Sequence, residues 1–168
     1  MKKVVFLVML ISSLFSKDII KDGYFVGGSY GDLTITDRDN TESYVEAKIG
    51  SYFYSDNKYH ISNRFYLEVA KMLTENTSFY TTNIKLDWVW NDLPYIKPFI
   101  GFSGGYIYYS YQTSNYSSGS YGLQSGILIY LGNNFEIEIG GSTSKATQNT
   151  DVWKNTLKKI YAGINISF

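Results

Sequence analysis

The sequence contains no cysteine, a single histidine and only two prolines, and beyond its first residues it has no long hydrophobic run. Without cysteine there is no disulfide to brace a loop, no thiolate metal site and no thiol to carry a lipid anchor. The one histidine, His60, rules out a multi-histidine metal site, and no cofactor is expected. A transmembrane helix needs about 20 consecutive apolar residues, and none are found. If this chain enters a bilayer it must do so as a closed barrel, the only other fold that satisfies every backbone group in lipid. Charge of one sign is also missing: acids and bases balance at 15 each, which gives no footprint for nucleic acid.

Aromatics are abundant instead. They make up 18% of the chain, too many for a disordered segment. At the N-terminus, Lys2 and Lys3, the apolar run Val4 to Ile11 and the segment Ser12 to Ser16 have the three parts of a secretory signal peptide. The expected division is a leader over residues 1–16 and one domain over 17–168. Removing Lys2 and Lys3 leaves 13 bases against 15 acids, a net charge of −2.

From residue 23 onward apolar residues recur at every second position, the period of a strand with two unlike faces. The alternation predicts strands over 23–31, 44–54, 59–70, 78–90, 96–111, 121–131, 135–142 and 157–168. One face collects Val26, Ile49, Leu67, Ile84, Phe102, Ile127 and Ile139. The other collects glycines (27, 31, 50, 101, 105, 122, 126, 140 and 163) and the charges Glu46, Lys48, Arg64, Glu68, Lys85, Asp87, Glu136, Glu138 and Lys159. Connections alternate long and short: 32–43, 71–77, 112–120 and 143–156 read as long loops, and 55–58, 91–94 and 132–134 as tight turns.

Alternation alone cannot say which face points inward, because a soluble barrel hides its apolar side. The glycines decide it. A water-facing surface has no need of so many strand-weakening residues, whereas a narrow interior has. Tyr24, Tyr59, Trp88, Trp90, Tyr106 and Tyr108 stand near strand ends on the apolar face, as in the aromatic girdles of membrane barrels.

The last eight residues, Tyr161-Ala162-Gly163-Ile164-Asn165-Ile166-Ser167-Phe168, alternate without a break. With Tyr161, Gly163, Ile166 and Phe168 at its marked places, this stretch resembles the C-terminal assembly signal of bacterial outer-membrane barrels. The whole mature chain resembles the small eight-stranded barrels of the OmpA and OmpX type. The resemblance implies an all-β, antiparallel up-and-down transmembrane barrel in the outer membrane of a Gram-negative bacterium. Its partners would be outer-membrane lipids, the barrel assembly machinery that reads the last strand, and an unidentified extracellular partner of the loops.

Candidate chemistry is sparse. Gly101-Phe102-Ser103-Gly104-Gly105 has the letters of a nucleophile elbow, but its surroundings continue as strand and the only histidine lies upstream. His60-Ile61-Ser62-Asn63 is similar to the His-x-Ser-Asn string of lipid A deacylase barrels, but it falls in the third strand rather than late in the chain. The acids Asp32, Asp37, Asp39 and Glu42 lack the calcium-loop pattern and read as a solvated external loop. The expected function is therefore a non-enzymatic barrel whose charged lumen is salt-bridged shut and whose loops serve envelope stability or adhesion. The alternatives are a lipid-modifying barrel enzyme and a secreted soluble barrel binding a small apolar ligand.

Overall fold

A computed structural model describes residues 22–35, 40–54, 61–74, 77–93, 95–111, 114–132, 134–147 and 156–168. The leader, His60 and Tyr59, Asp37 and Asp39, and the tips of most connections lie outside the described residues. Eight antiparallel strands, β1 (Asp22–Ile35), β2 (Asn40–Tyr54), β3 (Ile61–Met72), β4 (Thr77–Trp90), β5 (Ile96–Tyr111), β6 (Ser114–Tyr130), β7 (Phe135–Ala146) and β8 (Thr156–Ser167), close into a barrel in chain order. β8 returns to β1, and Tyr24 and Phe168 finish that seam with two backbone hydrogen bonds of 3.0 and 2.9 Å.

The register sets the dimensions. Following paired residues once round the barrel from Tyr24, through Ser51, Phe65, Leu86, Phe102, Leu123, Thr143 and Lys158, returns to β1 at Thr34, a shear of 10 positions (24 to 34). Eight strands with that shear tilt by about 40° and enclose a backbone radius of about 8 Å. So narrow a tube brings inward side chains of opposite strands within reach of one another. On this geometry each residue along a strand climbs about 2.5 Å, so positions on different strands can be placed at a common height.

The faces fall as the alternation requires. Ile49, Leu67, Ile84, Phe102, Ile139 and Ile164 are exposed on the outside, and the charged residues are buried inside. This ordering is the reverse of a soluble barrel. The outward apolar band runs from Phe53, Trp90 and Phe168 at the end carrying the termini up to Val45, Val69 and Ile160, a span of about 20–25 Å that matches a membrane barrel.

Above that band the pattern inverts. The outward positions become Asp32, Thr34, Ser43, Lys71, Lys145 and Lys158, and the inward ones become Leu33, Ile35, Met72, Phe79, Ile107 and Leu157, all buried. These inward residues join Tyr44, Ala70, Tyr109 and Tyr161 in one apolar cluster, so the barrel continues out of the membrane as a water-facing barrel with its own core.

This continuation corrects four expected loops. Residues 32–35 and 40–43 are strand, paired from Asp32↔Ser43 to Ile35↔Asn40. Lys71 and Met72 belong to β3, and 143–146 to β7. Most of the expected loop 112–120 is the start of β6, paired to β5 as far as Ser114↔Tyr111. Polar composition reads as loop, yet here it marks strands whose outer face has left the lipid.

Candidate functional site

The nine charged residues of the polar face all lie inside the lumen, each no more than 6% exposed. Arg64 on β3 is the centre. Its guanidinium donates to Asp87 Oδ2 (2.6 Å) on the neighbouring β4 and reaches across the lumen to Glu138 Oε2 (2.8 Å) on β7. The planar fork suits two carboxylates at once, which a lysine could not match. Three aromatic rings, Phe25, Tyr66 and Phe99, lie 5.6, 4.8 and 4.9 Å from the guanidinium carbon and complete its burial.

A second group sits higher in the tube. Glu68 takes Lys85 from the adjacent strand and Lys159 Nζ (3.0 Å) from β8. Lys48 Nζ lies 3.0 Å from Glu138 and joins the two groups, and Glu46 is held more loosely, 3.7 Å from both Lys48 and Lys159. Glu136, lowest of the acids, accepts from Tyr52 (2.5 Å), Asn165 (3.4 Å) and Ser167 (3.3 Å). Four cations thus meet five carboxylates in a buried interior, with neutral donors adding to the pairing.

Those neutral donors lie on the predicted polar face, but alternation does not mark them as partners. Gln124 donates to Asp87 and to Tyr66 (2.8 Å), Asn165 to Glu138 (2.9 Å), and Asn83 to Glu68 (3.3 Å). Inward glycines make the room: a Cβ on Gly101 would overlap the Asp87 carboxylate. Apolar clusters flank the network. Phe25 and Tyr52, with Val89, Phe99 and Leu128, pack around its lower part, and the extramembrane cluster lies above.

Of the four residues of the terminal signal, Tyr161 and Gly163 face the lumen, while Ile166 and Phe168 face outward. Tyr161 donates to Glu138 Oε1 (3.1 Å), and Phe168 stacks near Tyr24 with ring centroids 6.4 Å apart. Ser103 sits within a continuous β5, so the elbow geometry is absent. Ser62 is buried near the turn end and accepts from Asn91 Nδ2 (3.1 Å). No cluster of three metal-binding side chains exists among the described residues.

No protein-family model matches the sequence, and no curated protein matches it. Solved structures do. Neisserial surface protein A (NspA) is similar at a TM-score of 0.62 and 13% identity, covering 88% of this chain and 97% of that one. The N-terminal barrel domain of Pseudomonas aeruginosa OprF reaches 0.65 at 12% identity, covering 87% and 99%. Ail, the attachment invasion locus protein of Yersinia pestis, reaches 0.60 at 14% identity, covering 88% and 97%. With the closed eight-stranded barrel and the outward apolar band already in place, these likenesses identify the architecture: this chain has the fold of the small eight-stranded outer-membrane barrels of bacteria, the OmpA and OmpX type.

Proposed function

We propose that this chain is a non-enzymatic barrel, closed to steady ion flow, that acts through the part projecting from the outer membrane, in surface adhesion or envelope stability. The observation that supports this reading is the buried ion-pair network that crosses the lumen at Arg64. A conducting path would have to part Arg64 from Asp87 and Glu138, and removing one partner of such a buried pair is strongly unfavourable. The projecting part has substance of its own: the β5–β6 ladder is the longest in the barrel. It carries Tyr106, Tyr108, Ser110, Asn115 and Ser117 on its outer face, and its tip is the highest point of the described strands. Tyrosine and serine on a rigid ladder offer contact area at low entropic cost, which suits binding to another surface.

The test for closure is planar-bilayer recording with the refolded mature protein. Little or no steady conductance is expected, and large stable channels would overturn the reading. Adhesion is tested on cells displaying the wild type against a Tyr106→Ser/Tyr108→Ser variant, with attachment to host cells or matrix expected to fall. Unchanged attachment, with equal surface amounts, would move the role to envelope stability.

A further inference from the structure

Tyrosine just above the apolar band is confined to one sector of the barrel. On β4 and β5, Tyr80, Tyr106 and Tyr108 are exposed and stand about 6–11 Å above Ile160, the last outward isoleucine of β8. At about the same level the outward positions of the other strands are Asp32, Ser43, Lys71, Lys145 and Lys158. Rings that only mark a membrane interface form a girdle round a barrel. These do not encircle it, and they belong to the sector that continues upward as the β5–β6 ladder.

The outer face of that ladder is uncharged. Tyr106 and Tyr108 are followed by Ser110 on β5 and faced by Gly119, Ser117 and Asn115 on β6, with no acid or base among them. The nearest cations border its foot: Lys71, 5.8 Å from the centre of the Tyr80 ring, and Lys145, paired with Tyr121. The rings of Tyr80 and Tyr108 lie side by side, 6.5 Å apart and tilted by 37°. Tyr106 repeats the pattern one outward position lower on β5, about 7 Å along the strand. Gly119 and Ser117, directly across from Tyr106 and Tyr108, are too small to cover the rings from the β6 side. Ser110 donates to Asn115 Oδ1 (2.6 Å), which leaves the Asn115 amide hydrogens for a partner.

We propose that this face binds a neutral carbohydrate on the surface to which the cell attaches. A sugar ring has the complementary chemistry: an apolar C–H face that packs on tyrosine, and a rim of hydroxyls that exchange hydrogen bonds with serine, asparagine and phenol groups. The ladder is continuous from Gly105 to Tyr111, a flat strip along which a chain of sugars can lie, whereas a protein partner anchors its large side chains in pockets. A sulfated or otherwise anionic glycan would find no counter-charge on the strip itself. The inference rests on the adhesive reading of the projecting ladder, names the class of its partner, and does not depend on whether the lumen conducts.

The test uses the mature chain folded in dodecylphosphocholine, a detergent without a sugar, and saturation-transfer NMR with the protein's aromatic protons irradiated. The probes are lacto-N-tetraose, chitotetraose and maltotetraose, with a heparin tetrasaccharide and the core oligosaccharide of lipopolysaccharide run in parallel. Transfer to the C–H protons of at least one neutral probe is expected. Its affinity should fall about tenfold in Tyr106→Ser/Tyr108→Ser, be largely kept in Tyr106→Phe/Tyr108→Phe, and stay unchanged in Tyr30→Ser, on another sector. No binding of any neutral probe, or undiminished binding by the double-serine variant, would overturn the site. Heparin binding as tightly as the neutral probes would overturn the assignment to uncharged sugar, and tighter binding of the core oligosaccharide would make the partner the cell's own lipopolysaccharide. Cell attachment that falls in the double-serine variant while no sugar binds would keep the adhesive reading and overturn this one in favour of a protein partner. Attachment and sugar binding both indifferent to the variant would overturn both. Each variant is first checked for the mobility shift on boiling that marks a folded barrel.

Discussion

Tyr161 lies across Gly140, its partner on the neighbouring strand, and the phenol ring fills the space that a Cβ on Gly140 would need. The ring cannot easily give way. Its hydroxyl is tied to Glu138, and the ammonium groups of Lys48 and Lys85 sit 5.2 and 5.8 Å from its centre. A Cβ would come within 2.7 Å of the hydroxyl oxygen and 3.1 Å of the Ser125 carbonyl. Gly140→Ala should therefore cost about 1–3 kcal/mol by overpacking. Urea unfolding of the refolded barrel measures it. Combining the change with Tyr161→Ala should recover part of the loss, and strict additivity of the two would show that ring and glycine are not coupled.

Arg64 is the second point of leverage. Replacing it with Leu leaves Asp87 and Glu138 buried, with Gln124, Asn165, Lys48 and Tyr161 as remaining partners that cannot replace the guanidinium's charge and fork together. A loss of about 3–5 kcal/mol is expected. Neutralising the two acids in the same chain, Arg64→Leu with Asp87→Asn and Glu138→Gln, should restore much of it, because the uncompensated charge is then gone. If the triple variant is no more stable than the single one, the loss comes from packing around Phe25, Tyr66 and Phe99 and not from charge.

The sequence made the two faces legible because one composition holds along each side of a strand while both environments stay fixed. It was uninformative about strand ends for the same reason. Where β1 leaves the lipid at Asp32, the outer face turns polar and the inner face turns apolar. The run Asp32 to Ser43 then looks like a loop, although Leu33 and Ile35 point into a core. The segment before Tyr121 misled in the same way. Charge pairing was out of reach too: Arg64 and Glu138 meet across the lumen from β3 and β7, 74 residues apart, and only the shear of the closed barrel brings them level. Glycines at 101 and 140 signalled crowding without naming Asp87 and Tyr161 as what crowds them.

The extramembrane continuation makes a prediction that separates strand from loop. Tyr116 to Ser120 pair with β5 from Tyr109 to Gly105, and Tyr116 stacks with Tyr109 at 6.4 Å. Amide exchange there should be slowed as it is in the membrane-level part of β6, Leu123 to Ile129. Hydrogen-exchange mass spectrometry on the folded barrel reads this directly, and complete exchange within seconds would mean that the ladder does not persist in solution. The core beneath it should matter equally: Phe79, 2% exposed, contacts Tyr109 edge-on, and Phe79→Ala should cost about 3–5 kcal/mol although it lies outside the lipid.

Phe168 allows folding and assembly to be told apart. It closes the seam with Tyr24 through backbone bonds that any residue can make, while its ring lies on the lipid side, 49% exposed, where it supports no part of the lumen network. Ile166 likewise faces outward. If these two side chains matter chiefly because the assembly machinery reads them, then Phe168→Ser should refold in detergent with a near-normal boiling shift and a stability loss of no more than about 1–2 kcal/mol, the worth of one partly covered aromatic. In cells the same variant should reach the outer membrane in much smaller amount. Tyr161→Phe should behave in the opposite sense, keeping the ring and losing only the hydroxyl that Glu138 accepts, so its cost is read in urea as about 1 kcal/mol. Comparing outer-membrane yield with the in vitro unfolding midpoint across both variants decides the matter. A loss of yield in Phe168→Ser that merely tracks a lowered midpoint would make the residue structural, whereas a loss at unchanged midpoint assigns it to recognition.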